Sequence, residues 1–235
     1  MSEILKGKSK TVCKGPDEES LVMRYRDSAT AFNGEKKEEL CGKGKLNCAI
    51  SNLIFGYLSE NGIKTHLIKV IDETSILVKK AQILMVEVTV RNVAAGSFSK
   101  KYGIAEGSAL KNTVVEFSLK SDELGDPMIN ESQITAIGLA AKDELAQMSE
   151  LALKINGLLQ TLFLRADITL ADFKLEFGKV NGEIILCDEI SPDSCRLWDV
   201  NTGKKLDKDR FRRNLGDVLG GYQEVLNRLL DTKLM

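Results

Sequence analysis

The chain has 235 residues, of which 43% are apolar and 29% charged, and its 33 basic residues nearly balance its 34 acidic ones. That balance excludes the basic footprint of a nucleic-acid binder. A chain of this length buries roughly 70 to 75% of its unfolded surface, enough for one large domain or two intimate lobes with no staples.

In chain order, "TVCKG" and "SLVMRYRD" read as short strands, followed by a helix over about 38–60. Leu46, Ile50, Leu53, Ile54 and Leu58 recur there at spacings of three and four, and Asn61-Gly62 supplies a stop. Strands follow near "THLIKVI" and "SILVKK". "ILMVEVTVRNV" predicts a strand with Glu87, Thr89 and Arg91 on one face and Val86, Val88 and Val90 on the other. A long helix over about 143–164 carries the stripe Leu145, Met148, Leu151, Ala152, Ile155, Leu158, Leu159 and Leu162, which is read as core. "KDRFRRNLGDVLGGYQEVLNRLLD" closes the chain as one or two helices. With three prolines and no linker-like stretch, two lobes would pack as one unit.

Cys13, Cys41, Cys48, Cys187 and Cys195 form no CxxC pair. With no apolar leader at "MSEILKGKSK", they point to reduced thiols in a cytoplasmic protein. No run approaches 18 apolar residues, so no membrane partner is expected. A single histidine, His66, follows a glycine in an apolar setting and reads as an edge or core residue. Triads and paired-histidine zinc sites are therefore excluded, and the chemistry must rest on carboxylates, lysines and arginines.

"DFKLEFG", 172–178, alternates Asp172, Lys174 and Glu176 with Phe173, Leu175 and Phe177. It continues into "KVNGEIILCDEISPD", a hairpin around Asn181-Gly182. A two-residue loop would set Glu176 opposite Cys187 and send Asp188 to the other face. A three-residue loop over 180–182 would put Lys174 opposite Asp188 and bring Lys174, Glu176 and Asp188 together. The three-residue loop is the expectation, because it keeps the phenylalanines with Ile185 and Cys187 on the apolar face. Two carboxylates about 5 Å apart would repel by about 3 kcal/mol at an effective dielectric of about 20. A shared proton, a lysine or a divalent cation such as magnesium would compensate. A solvated strand face is the bland alternative, and the acidic turn "DEISPDSCR" with its arginine favours a site. Near the N-terminus, "KGKSK" offers two lysines and a glycine turn suited to phosphates, although it is neither a Walker A sequence nor GxGxxG.

"KGKSKTV", "DSATAFNG", "GKGKLN", "EVTVRNVAAGSFSKKYG", "DFKLEFG" and "DEISPDSCRLWD" stand in an order and spacing that resembles the phosphoribosylaminoimidazole-succinocarboxamide synthase family, the SAICAR synthetases. The resemblance runs over about 6–229. Cys13, Cys48 and Met85 depart from the family pattern, where tyrosine, asparagine and proline are usual, and none of them is a charged site residue.

The resemblance implies an α/β (α+β) fold of antiparallel sheets with flanking helices, two-lobed and related in plan to ATP-grasp enzymes and kinases. Residues 1–80 would form a nucleotide-binding lobe, and 81–235 a second lobe with nucleotide, magnesium and ribonucleotide sites at the cleft. It implies an ATP-dependent ligase joining the carboxylate of 5-amino-4-carboxyimidazole ribonucleotide to L-aspartate, with release of ADP and phosphate, and a homodimer. On this resemblance Lys8, Lys10, Val12, Ile83 and Glu87 contact ATP, Glu176 and Asp188 hold Mg2+, and Lys174 neutralises charge between them and the substrate. Arg91, Ser97 and Arg196 resemble the ribonucleotide's binders, Arg212 adds a phosphate contact, and the aspartate pocket is sought near "AAGSFSKK" and Asp193. A small-molecule kinase or a nucleotide sensor would share many of these groups, and a requirement for an amine co-substrate separates them.

Overall fold

The structure, a computed structural model, describes residues 2–233. The elements run β1 (Glu3–Lys6), β2 (Lys10–Lys14), β3 (Ser20–Tyr25), β4 (Ser28–Ala31), β5 (Lys36–Glu39), α1 (Lys43–Glu60), β6 (Leu67–Val70), β7 (Ser75–Lys79) and β8 (Gln82–Val93). They continue as α2 (Gly96–Tyr102), β9 (Ala109–Leu119), α3 (Glu131–Ala136), α4 (Lys142–Arg165), β10 (Ile168–Val180), β11 (Glu183–Cys187), β12 (Cys195–Asp199), α5 (Asp209–Arg212) and α6 (Val218–Lys233). One antiparallel sheet has the order β1-β2-β3-β7-β6. A second has β11-β10-β8-β9, with β12 also pairing β10, and β4 and β5 form a separate ribbon.

The alternation in β10 has the expected consequence. Phe173, Leu175 and Phe177 are buried with Val86, Val88 and Val90 against the α4 stripe of Leu145, Met148, Ala152, Ile155 and Leu159. A strand pair with one wholly apolar face can seat a helix only on that face, so the charged row of β10 must turn toward the other sheet. Helix α1 joins the two sheets' cores. Ile50, Ile54, Phe55 and Leu58 enter the large core, while Cys48 packs with Met23, Tyr25, Ile76 and Val78 of the first sheet.

That helix begins at Lys43, later than the sequence expectation, because Lys36–Glu39 pairs with β4 as a strand. Gly42 takes the left-handed conformation at φ 92°, and the Asp27 carboxylate accepts hydrogen bonds from the Gly42 and Gly44 N–H groups at 3.0 and 2.9 Å. These bonds satisfy donors that the helix start leaves unpaired. His66 is a buried histidine packed edge-on against Phe55, and its N–H donates to the Leu186 carbonyl at 2.9 Å, tying the first sheet to β11. Burial holds its imidazole down at about 4, so it is neutral at pH 7.

Candidate active site

The β10–β8 register sets Asp172 opposite Arg91, Lys174 opposite Thr89 and Glu176 opposite Glu87. Directly opposed residues share a face, so two strands present six polar side chains in a block. The Glu87, Lys174 and Glu176 end of this block floors a cleft of about 740 Å³ between the sheets, which Lys8, Lys10 and Val12 line from the first sheet; Asp172, Arg91, Ser97 and Arg196 are not among the residues lining it.

The hairpin register corrects the expected one. Glu176 pairs with Cys187 and Val180 with Glu183, leaving a two-residue Asn181-Gly182 loop. Both loop residues have positive φ, 52° and 80°, the geometry of a type I′ turn matched to strand twist. Lys174 is therefore not opposite Asp188. Asp188 still reaches the charged face, by a different device: it lies just past β11 with φ 61°, a left-handed residue that breaks the strand alternation. A non-glycine residue held there costs free energy, and such strain is found where a side chain must be aimed.

Glu176 and Asp188 interact strongly. Burial first, then the Asp188 charge, pushes the Glu176 carboxyl up to about 7 despite its 2.6 Å ion pair with Lys120. Burial acts on Asp188 in the same sense, but Lys10 at 2.6 Å outweighs it and holds Asp188 below the usual carboxylate range. The two carboxyls titrate as a pair, with the proton favoured on the Glu176 side and the charge on the Asp188 side. Lys10 also reaches Glu189 at 2.7 Å, and Glu189 accepts from Ser191 Oγ at 2.6 Å. Burial works against the Lys10 ammonium, yet the two acids hold it well above its ordinary value. Two oxygen donors, one of them with its ionisation pushed up by burial and its acidic neighbour, fit a magnesium-type ion, which takes one or two protein carboxylates and leaves its other positions to phosphate and water. No cluster of three or more metal-ligating side chains occurs among the described residues.

Four residues along β10 lies a different arrangement. Asp172 is held by Arg91 at 2.7 Å and by Arg196 at 2.9 and 3.0 Å, while Arg91 also bonds Glu116 at 2.7 Å and Ser97 Oγ at 3.2 Å. Arg196 continues to Asp209 at 3.1 Å, and Asp209 to Arg212 at 2.7 Å. A Cβ at Gly96 would collide with the Arg196 guanidinium, so this glycine lets the arginine lie against the backbone.

Of the other expected residues, Lys8 pairs with Asp122 at 2.7 Å at the cleft rim, and Lys174 pairs with Glu87. Asp193 lines the cleft but is gripped by Lys43 and by the Tyr222 hydroxyl, each at 2.6 Å. Ile83 is not among the residues lining the cleft, where Met85 lies instead. Sequence reasoning missed Lys120, Glu189 and Lys208, all of which line the cleft. Lys120 and Lys208 follow no recognisable pattern, whereas Glu189 lies in the acidic turn already singled out.

An open charged cleft between two antiparallel sheets, floored by lysines and carboxylates in ion pairs, defines an α+β enzyme acting on anionic substrates. The SAICAR synthetase family profile matches residues 3–229. A phosphoribosylaminoimidazole-succinocarboxamide synthase of Finegoldia magna is 51% identical over 230 residues, covering 97% of this chain and 99% of the relative. The crystal structure of the synthase from Ehrlichia chaffeensis superposes with a TM-score of 0.95 at 44% identity, covering 97% of this chain and 98% of that one. A SAICAR synthetase in complex with ADP superposes at 0.93 with 45% identity, covering 96% of each chain. The chain belongs to the SAICAR synthetase family.

Proposed function

We propose that the protein is the ATP-dependent carbon–nitrogen ligase its family membership implies: it condenses 5-amino-4-carboxyimidazole ribonucleotide with L-aspartate, releasing ADP and phosphate, in purine biosynthesis. The observation that carries the reading onto these residues is the convergence of Lys10, Lys120, Glu176 and Asp188 on the floor of one cleft. A structural relative in complex with ADP supports nucleotide binding by this protein.

In this scheme residues 1–80 supply the nucleotide-binding lobe and 81–235 the rest, a division that the two sheets, built from either side of residue 80, support. Lys8, Lys10 and Lys120 hold phosphates, Val12 and Met85 flank the nucleotide, and Lys174 with Glu87 sits beside the transferring group. Glu176 and Asp188 hold Mg2+, which when bound supplies positive charge to the phosphates. Arg91, Ser97, Arg196 and Arg212 hold the ribonucleotide, with guanidinium forks suited to phosphate and carboxylate. The ribonucleotide carboxylate is ionised at neutral pH and attacks the γ-phosphorus without a base, with ADP leaving. The aspartate amine then attacks the acyl carbon and phosphate departs, its proton passing to solvent or to a substrate oxygen. The protein's part is positioning and charge stabilisation, consistent with a neutral, buried His66. We place the enzyme in the cytoplasm as a homodimer. Among the described residues no helix is long and apolar enough to cross a membrane.

The test is ADP release from the purified protein with magnesium-ATP and the ribonucleotide, with and without L-aspartate, and mass spectrometry of the product. One ADP per succinocarboxamide, dependent on both co-substrates, is expected. ADP formed equally without aspartate would indicate a kinase, and no turnover would overturn the reading.

A further inference from the structure

The ion pairs that reach the cleft through Arg212 are balanced as built. Glu116, Arg91, Asp172, Arg196, Asp209 and Arg212 bond in sequence, acids alternating with arginines, and of these only Arg212 lines the cleft. One further acid stands directly behind them. Asp207 is wholly buried, and its two oxygens accept hydrogen bonds from backbone alone, the Leu197 N–H and the Asp209 N–H, each at 2.7 Å. Among the described residues no lysine or arginine bonds to it, because Asp209 takes both nearby guanidinium groups, Arg196 at 3.1 Å and Arg212 at 2.7 Å. A carboxylate out of water with no cation beside it is costly in its ionised form. Each oxygen keeps a lone pair beyond its backbone bond, so a proton can be added without breaking either one.

An anion arriving on these arginines leaves the group with excess negative charge, and few neighbours can answer it. Cys195 of β12 and Tyr222 of α6, which face Asp207, are both pushed up by burial, away from neutrality. Burial opposes the charge of Asp209, but Arg196 and Arg212 hold it below the usual carboxylate range. Arg196 and Lys205, the cations facing Asp207, can give up a proton but not gain one. Asp207 is left. Burial first, then the Asp209 charge, pushes its carboxyl up to about 7, so it takes a proton near neutrality, and no ion pair is broken.

We propose that Asp207 couples ribonucleotide binding to proton uptake: as the anionic ligand settles on the arginines, Asp207 takes a proton from the buffer and offsets part of the charge the ligand brings. This rests on the ligase reading above, which places the ribonucleotide at Arg91, Arg196 and Arg212. Asp207 acts through Asp209 and is a positioning residue. Because the complex then holds more protons than the free protein, ribonucleotide affinity falls as pH rises above 7, by up to about tenfold per unit.

The experiment is calorimetric titration of the ribonucleotide into protein supplied with Mg2+ and a non-hydrolysable ATP analogue, repeated at pH 8 in buffers of different ionisation enthalpy. At that pH the ribonucleotide phosphate is already a dianion and has little proton of its own to release. An anion that raises the Asp207 carboxyl by about one pH unit or more gives an uptake of at least about 0.4 proton per ribonucleotide. Glu176→Gln is expected to keep this uptake and Asp207→Asn to lose most of it. Binding without uptake in the wild type, or uptake lost in Glu176→Gln and kept in Asp207→Asn, would overturn the assignment while leaving the ligase reading intact. Wild-type protein that does not bind the ribonucleotide would overturn both. Should Asp207→Asn not fold, the wild type labelled with 13C in its aspartate carboxyls alone provides the readout, since Glu176 is then silent. One aspartate carboxyl is expected to titrate at about 7 and to move up by about one unit or more with ribonucleotide. No such carboxyl, or one that the ribonucleotide leaves unmoved, would equally overturn the assignment.

Discussion

Strand β10 carries two charged regions four residues apart, and they are built on opposite principles. Around Asp172, Arg91 and Arg196 both bond the carboxylate, Arg91 continuing to Glu116 and Arg196 to Asp209, so every charge in the chain has a partner before any ligand arrives. Around Glu176, two acids compete for Lys10 and Lys120, and the deficit of positive charge appears as a carboxyl pushed up to about 7. On the proposed function, the first region would meet an anion with forks already held in place by acids. The second is left short of one cation, which is the property expected of a place where a metal and polyphosphate arrive together.

Removing a carboxylate from the second region is the harshest test of that contrast. Glu176→Ala is expected to lower kcat about a thousandfold with an unchanged circular dichroism spectrum. Wild-type turnover in the folded variant would remove Glu176 from the scheme.

The proton held by Glu176 also has a stability signature. The unfolded carboxyl ionises near its ordinary 4.5, while the folded one stays protonated until about 7. Over that window the folded state binds more protons, so this group's contribution to stability falls as pH rises, by about 3 kcal/mol in all. Glu176→Gln lacks the term. Its urea midpoint, compared with wild type at pH 5 and pH 8, is expected to gain on wild type at the higher pH, and parallel pH curves would contradict the assignment.

The arginine lattice should respond differently, through binding. Arg196→Lys forfeits the fork that spans Asp172 and Asp209, and is expected to raise the ribonucleotide KM about 10- to 100-fold with a smaller change in kcat. An equal fall in kcat with KM unmoved would assign Arg196 to the chemistry instead.

The smallest effect belongs to the hairpin that delivers Asp188. Gly182→Ala puts a Cβ on a residue at φ 80° with open space around it, so only backbone strain is added. A loss of about 1 kcal/mol by urea denaturation is expected, with kcat retained.

The two regions were unequally legible in the sequence. Period-two alternation alone gave the shared face of Asp172, Lys174 and Glu176, and of Glu87, Thr89 and Arg91, because one face of each strand had to meet the α4 stripe. The register of the hairpin was not legible in the same way. Keeping Cys187 with the phenylalanines argued for three loop residues, whereas Asn-Gly favours two, and the turn chemistry prevailed. The left-handed φ of Asp188, which restores the carboxylate to the site, has no sequence signature in an aspartate followed by a glutamate. Lys120 and Lys208 reach the cleft through tertiary packing, from the end of β9 and the start of α5, so no local pattern marks them.

The most direct test of the carboxylate pair is calorimetric titration of ATP into wild type and Glu176→Gln across a range of Mg2+ concentrations. The account predicts that Mg2+ tightens nucleotide binding to the wild type and that the variant loses most of this dependence while still folding. An identical magnesium dependence in both proteins would contradict it.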